Sequence, residues 1–197
     1  MVEFTQKNNK AFITFEKGYN TIVNSIRRII LEEVPTIAIE EVEVIKNESP
    51  LYDETIAQRL GLIPLTTDIQ SYNFKSQCSC GGVGCAMCEV KMSLKQNEPG
   101  FVYSCSIKSD DPQIVPVDNE IPITKLFKNH QLDLNLRAIL GQGKEHAKWS
   151  PAHSYLQETD DKLELIIEPF GQLEPKVIYN KAIEIIIDKI TKLEEQL

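Results

Sequence analysis

The sequence predicts an α+β fold, on three observations. Short segments at 10–16, 90–94, 132–136 and 163–167 alternate apolar and polar residues with the period of a strand. Two long segments, one near each end of the chain, carry apolar residues at helical spacing. A composition of 42% hydrophobic and 25% charged residues over 197 positions supplies an ordinary folded core and leaves no room for a disordered or collagen-like chain.

The first strand takes in Ala11, Ile13 and Phe15, and Gly18 breaks it. From Asn20, a suitable N-cap, Ile22, Val23, Ile26, Ile29, Ile30 and Val34 recur at helical spacing until Pro35 forbids continuation. At ~100° per residue, and with Leu31 included, the apolar arc spans about 200°, wider than the stripe that covers one core. Arg27 and Glu33 lie inside that arc. Residues 37–45 form a β-branched segment, and Ser49-Pro50 opens a short helix through Leu51, Ile56, Ala57 and Leu60. Asp53 and Glu54 suit its first turn, while Gly61 and Pro64 stop it.

Val90, Met92, Leu94 and then Phe101, Tyr103, Cys105, Ile107 read as two strands, joined in a hairpin by Asn97-Glu98-Pro99-Gly100, with Cys105 packed in the core. Pro112, Pro116 and Pro122 impose irregular chain with short extended pieces. Leu132, Leu134 and Leu136 alternate again, as do Leu163, Leu165 and Ile167, closed by Pro169-Phe170-Gly171. Pro175 starts the last helix, with Ile178, Ala182, Ile185, Ile186, Ile190, Leu193 and Leu197 on one side. Ile183 and Ile187 widen this arc too to roughly 200°. Such surplus apolar surface is either enclosed by the chain's own core or shielded by another chain, and periodicity alone leaves both open.

A formal net charge of −8 argues against broad wrapping of a phosphate backbone, so direct nucleic-acid contact is not expected. No apolar run approaches the roughly 20 residues needed to cross a bilayer, and the N-terminus lacks the apolar core of a signal peptide, so a cytoplasmic location and no membrane association are expected. In a reducing compartment, the bunching of Cys78, Cys80, Cys85 and Cys88 around Gly81, Gly82 and Gly84 reads as metal binding. Four thiolates suit one tetrahedral Zn2+, and with every position filled by cysteine the ion is structural. An iron–sulfur cluster and metal-free cysteines are the competing readings. Lys144, Glu145, His146, Lys148 and Trp149 form a dense polar segment, read as a loop that bonds and stacks between two lobes. Nothing in its spacing, or in that of Cys105, Ser150 and His153, sets up a nucleophile with its base.

Three blocks carry a family resemblance: 24–40, including Asn24-Ser25-Ile26-Arg27-Arg28-Ile29-Ile30-Leu31; 52–65, with Gln58-Arg59-Leu60-Gly61-Leu62-Ile63-Pro64-Leu65; and Lys144-Glu145-His146-Ala147-Lys148-Trp149-Ser150-Pro151. They resemble the alpha-like family of RNA polymerase subunits, which includes the bacterial alpha subunit and the third-largest subunit of eukaryotic polymerase II. The third block belongs to the archaeal and eukaryotic branch, and the short length favours its archaeal members. The resemblance implies a discontinuous dimerization domain, a sheet plus two long helices built from 1–45 and 152–197, with an inserted mainly β domain at 46–151. It implies a non-catalytic assembly subunit for transcription that pairs with a smaller alpha-like subunit, subunit L, and recruits the second-largest and other polymerase subunits. Carried onto this chain, Ile22, Ile26, Ile29, Ile30, Ile186, Ile190 and Leu193 are dimer-interface or adjoining core positions, and Arg27 and Arg28 are the large-subunit contact. The cysteine loop resembles the zinc loop of the eukaryotic relative. Some archaeal members hold an iron–sulfur cluster in an extra cysteine-rich domain after the Trp-Ser-Pro block; residues 153–165 contain no cysteine, so no cluster is expected. The rival reading is a free-standing zinc-binding transcription regulator acting through protein partners.

Overall fold

The computed structural model describes residues 3–159 and 162–196, and Leu197 of the expected last helix lies outside them. In chain order the elements are β1 (Glu3–Lys7), β2 (Lys10–Glu16), α1 (Asn20–Glu32), β3 (Thr36–Asn47), α2 (Asp53–Gly61), β4 (Glu89–Gln96), β5 (Gly100–Tyr103), β6 (Ile107–Ser109), β7 (Pro122–Leu126), β8 (Leu132–Gly141), β9 (Ala152–Glu158), β10 (Lys162–Pro169) and α3 (Pro175–Glu194). The fold is α+β. It divides into two compact units, Met1–Pro35 with Gln142–Leu197, and Thr36–Gly141. Of the expected boundaries, 45/46 falls inside β3 and 151/152 at the start of β9.

The unit made from both chain ends is an antiparallel sheet in the order β1-β2-β10-β9, packed with α1 and α3. Asn8 and Asn9 turn β1 into β2 with φ of 50° and 61°, the left-handed pair that a tight hairpin needs and that asparagine tolerates. Ala11, Ile13 and Phe15 of β2 and Leu163, Leu165 and Ile167 of β10 are buried, as their alternation predicts. Val23, Ile26, Ile29 and Ile30 of α1 and Pro175, Ile178 and Ala182 of α3 fill the rest of this core. The C-terminal carbonyls of α1 are capped from a distance: Lys144 N–H donates to Glu32 O (2.9 Å) and the Gln142 amide to Glu33 O (2.7 Å). Between them Gly143 approaches so closely that a Cβ would lie 1.9 Å from Leu31 O.

The second unit has an antiparallel sheet in the order β3-β8-β4-β6, a two-stranded β5-β7 ribbon, and α2. Its core joins Ile37 and Ile39 of β3, Leu60 of α2, Leu94 of β4, Ile123 of β7 and Leu134 of β8. Arg59 ties α2 to β7 by donating to Ile123 O at 2.9 Å. The hairpin expected from β4 into β5 does not form: β4 pairs with β6 and β8, and β5 pairs with β7. The cause is Ser104, wholly buried, which donates to Asp118 O (2.5 Å) and whose N–H donates to Ile121 O (2.9 Å). These bonds turn the chain at Ser104–Ser106, splitting the expected second strand and leaving Cys105 exposed rather than in the core.

Candidate metal centre and helical assembly face

The cysteine loop runs from a single helical turn, Lys75–Gln77, to the start of β4. Its thiols converge: Cys78 and Cys85 sulfurs are 3.5 Å apart, Cys80 and Cys88 3.7 Å, Cys85 and Cys88 3.8 Å, and all four lie within 4.8 Å of one another. Four sulfurs at ~2.3 Å from one ion sit about 3.8 Å from each other, so the set fits a tetrahedral site. Cys85 and Cys88 occupy one turn, in which Cys88 N–H and Glu89 N–H both donate to Cys85 O (3.0 and 2.9 Å) and Cys85 N–H points at the Cys88 sulfur (3.4 Å). The Gly84 N–H pulls the Cys80 thiol down to about 6, while burial pushes the Cys88 thiol up to about 12. A cation would deprotonate all four, and the arrangement is consistent with one structural Zn2+.

Of the helical residues, Ile26, Ile29 and Ile30 are enclosed within their own unit, whereas Ile22 is 54% exposed. On α3, Ile186 is half-buried and Ile190 and Leu193 are 51% and 59% exposed, beside Ile187 at 57%. At ~100° per residue, Ile186 and Leu193 lie within about 60° of the Ile178–Ala182 stripe that packs inward, Ile190 about 100° and Ile187 about 160° from it, so the apolar arc of α3 continues from its packed side onto exposed surface. Arg27 is half-buried and donates to Asn24 Oδ1 at 3.0 Å; Arg28 is exposed, 3.5 Å from Glu32. Glu33 pairs with Lys189 of α3, which gives this polar residue in the apolar arc a partner within its unit.

In the 144–149 segment, Trp149 is buried and the Lys148 ammonium lies 4.4 Å from its ring centre. His146 Nδ1 accepts the Lys148 N–H at 3.0 Å, which caps the turn Ala147–Trp149, and Glu145 and Lys144 are exposed. A feature that periodicity missed is an aromatic ridge on the β5-β7 ribbon: Phe101, Tyr103 and Phe127 are exposed, with Lys125 5.2 Å from the Phe101 ring centre and 6.0 Å from that of Phe127. The signal was present, as a lysine directly across the ladder from Phe101, but only strand pairing brings it out.

Residues 37–157 match the model of the RNA polymerase Rpb3/RpoA insert domain. The chain is also 40% identical over 182 residues to the DNA-directed RNA polymerase subunit Rpo3 of Methanosphaera stadtmanae, covering 89% of this chain and 67% of the relative. The chain belongs to the RNA polymerase Rpb3/RpoA family. Two further Rpo3 subunits of this family are similar: that of Methanosarcina mazei, 47% identical over 127 residues (64% of this chain, 48% of the relative), and that of Archaeoglobus fulgidus, 40% identical over 146 residues (74% and 55%). The chain thus spans about half to two-thirds of the length of these relatives. The Rpb3/RpoA match takes in the metal loop and the 144–149 segment, while α1 and α3 lie outside it. Among the described residues, no helix is long and apolar enough to cross a membrane.

Proposed function

We propose that this chain is a non-catalytic assembly subunit of a cytoplasmic DNA-directed RNA polymerase. Its end-built unit pairs with a smaller alpha-like subunit, subunit L, and the resulting heterodimer recruits the second-largest and other subunits. The observation that carries the reading is the exposed apolar surface of α3, Ile187, Ile190 and Leu193, in a chain of the Rpb3/RpoA family. These side chains are about half exposed, so covering what remains open contributes about 1 kcal/mol each, a favourable part of a contact that also needs the neighbouring surface. Ile22 and Ile186 extend that face, and the buried Ile26, Ile29 and Ile30 support it from within. Exposed Arg28, with Arg27 beside it, offers a guanidinium to a large subunit. The 144–149 segment, which follows directly where the chain leaves one unit for the other, serves as the connecting loop. The net charge of −8 favours a position away from nucleic acid. The names of the similar proteins favour this reading over a free-standing regulator. Mixed with subunit L, the chain is expected to elute from a size-exclusion column as a stoichiometric complex; two species eluting separately would count against the assembly role.

A further inference from the structure

Glu89 occupies an unusual place in β4. Strand alternation puts Val90, Met92 and Leu94 on the buried face and Glu89, Lys91, Ser93 and Lys95 on the other, where the last three remain partly or fully exposed. Glu89 alone on that face is buried, with its side chain 5% exposed. What covers it is the cysteine loop. A Cβ on Gly84, whose φ is +101°, would lie 2.8 Å from Glu89 Oε2, so the glycine rests against the carboxylate. Lys75, in the turn that leads into Cys78, reaches the same oxygen at 3.4 Å, and Arg137 of β8 stands 3.9 Å from the other. Glu41 of β3 completes the group, 3.6 Å from Lys75 and 3.3 Å from Arg137. Two carboxylates and two cations balance, which is what allows a carboxylate to be buried there.

The carboxylate therefore meets the loop at its entrance (Lys75) and its middle (Gly84), while the Glu89 backbone continues its exit from Cys88 and donates to Cys85 O. We infer that Glu89 is a positioning residue for the metal centre: by holding Lys75 and supporting Gly84 it keeps the four thiols converged, so retention of the ion depends on this carboxylate. The inference rests on the metal reading of the four cysteines. Partners that orient metal ligands without touching the ion typically change metal affinity by about 10–100-fold when removed.

The test is zinc release from the purified, zinc-loaded chain into excess chromophoric chelator, at a temperature where far-UV circular dichroism shows each variant folded. Glu89→Gln is expected to release zinc about tenfold faster or more. Lys75→Met should accelerate release as well, and the double variant by less than the product of the two single effects, because both act through one contact. Lys75 is the less enclosed partner, so its variant carries the test if Glu89→Gln does not fold. Lys95→Met, which removes a surface ion pair with Asp133 on the same face of the strand, should leave the rate unchanged. Release from Glu89→Gln and Lys75→Met at the parent rate, or equal acceleration by Lys95→Met, overturns the positioning role while leaving the metal site intact. A parent chain that takes up no zinc overturns both.

Discussion

Gly143 shows how much can hang on a missing Cβ. Its backbone lies against the last carbonyls of α1, and a methyl group would fall 1.9 Å from Leu31 O, a backbone atom that cannot swing aside. Gly143→Ala should lower stability by about 3 kcal/mol through overpacking and loss of the Lys144 and Gln142 bonds to the helix end, read as a fall in the chemical-denaturation midpoint. At this scale the cysteines were legible, because four thiols around three glycines have few other uses. Cys105 was not: its place beside aromatics in the sequence suggested packing, but the bonds of buried Ser104 turn it outward. Glu89 was equally hidden, since a glutamate at the start of a strand looks like a solvated residue until the loop that covers it is seen.

The strands that were read and those that were missed differ by burial. In β2 every second residue is enclosed, and in β10 Leu163, Leu165 and Ile167 are enclosed with Ile166 buried beside them, so both strands carry a strong apolar signal. In β1 all but half-buried Phe4 are exposed, and in β9 only Ala152 and Ser154 are buried, so neither carries an apolar period. The hairpin expected between β4 and β5 failed for a different reason: its turn residues were correct for a turn but could not say which strands it joins. Three of the strands in the end-built unit are pinned by Lys10 of β2, Tyr155 of β9 and Glu168 of β10. The hydrogen bond from Lys10, then that from Tyr155, holds the Glu168 carboxyl below its usual range. A depressed carboxyl contributes stability above the unfolded value of about 4.3, and that contribution is lost as pH falls through its folded value. The melting temperature of Glu168→Gln should therefore lie below that of the parent at pH 7, with the gap closing below pH 4. A gap that does not change with pH would mean the carboxylate charge has no part in it.

For the whole molecule, sequence and structure divide the work differently. The existence of two over-wide apolar helices was legible from periodicity, but not which isoleucines turn inward. Packing decides that: Ile26, Ile29 and Ile30 are used up by their own unit, whereas Ile187, Ile190 and Leu193 are left over. The surplus is concentrated on α3, with Ile22 the sole exposed isoleucine of α1. Substitution at the enclosed positions would report on folding, and only the outward ones can report on assembly. The most direct measurement is the affinity of an Ile190→Asp/Leu193→Asp variant for subunit L by titration calorimetry, with circular dichroism confirming that the variant is folded. Placing two carboxylates in an apolar contact should weaken binding at least 100-fold without loss of structure. Parental affinity in the folded double variant would contradict the assignment of α3 as the assembly face.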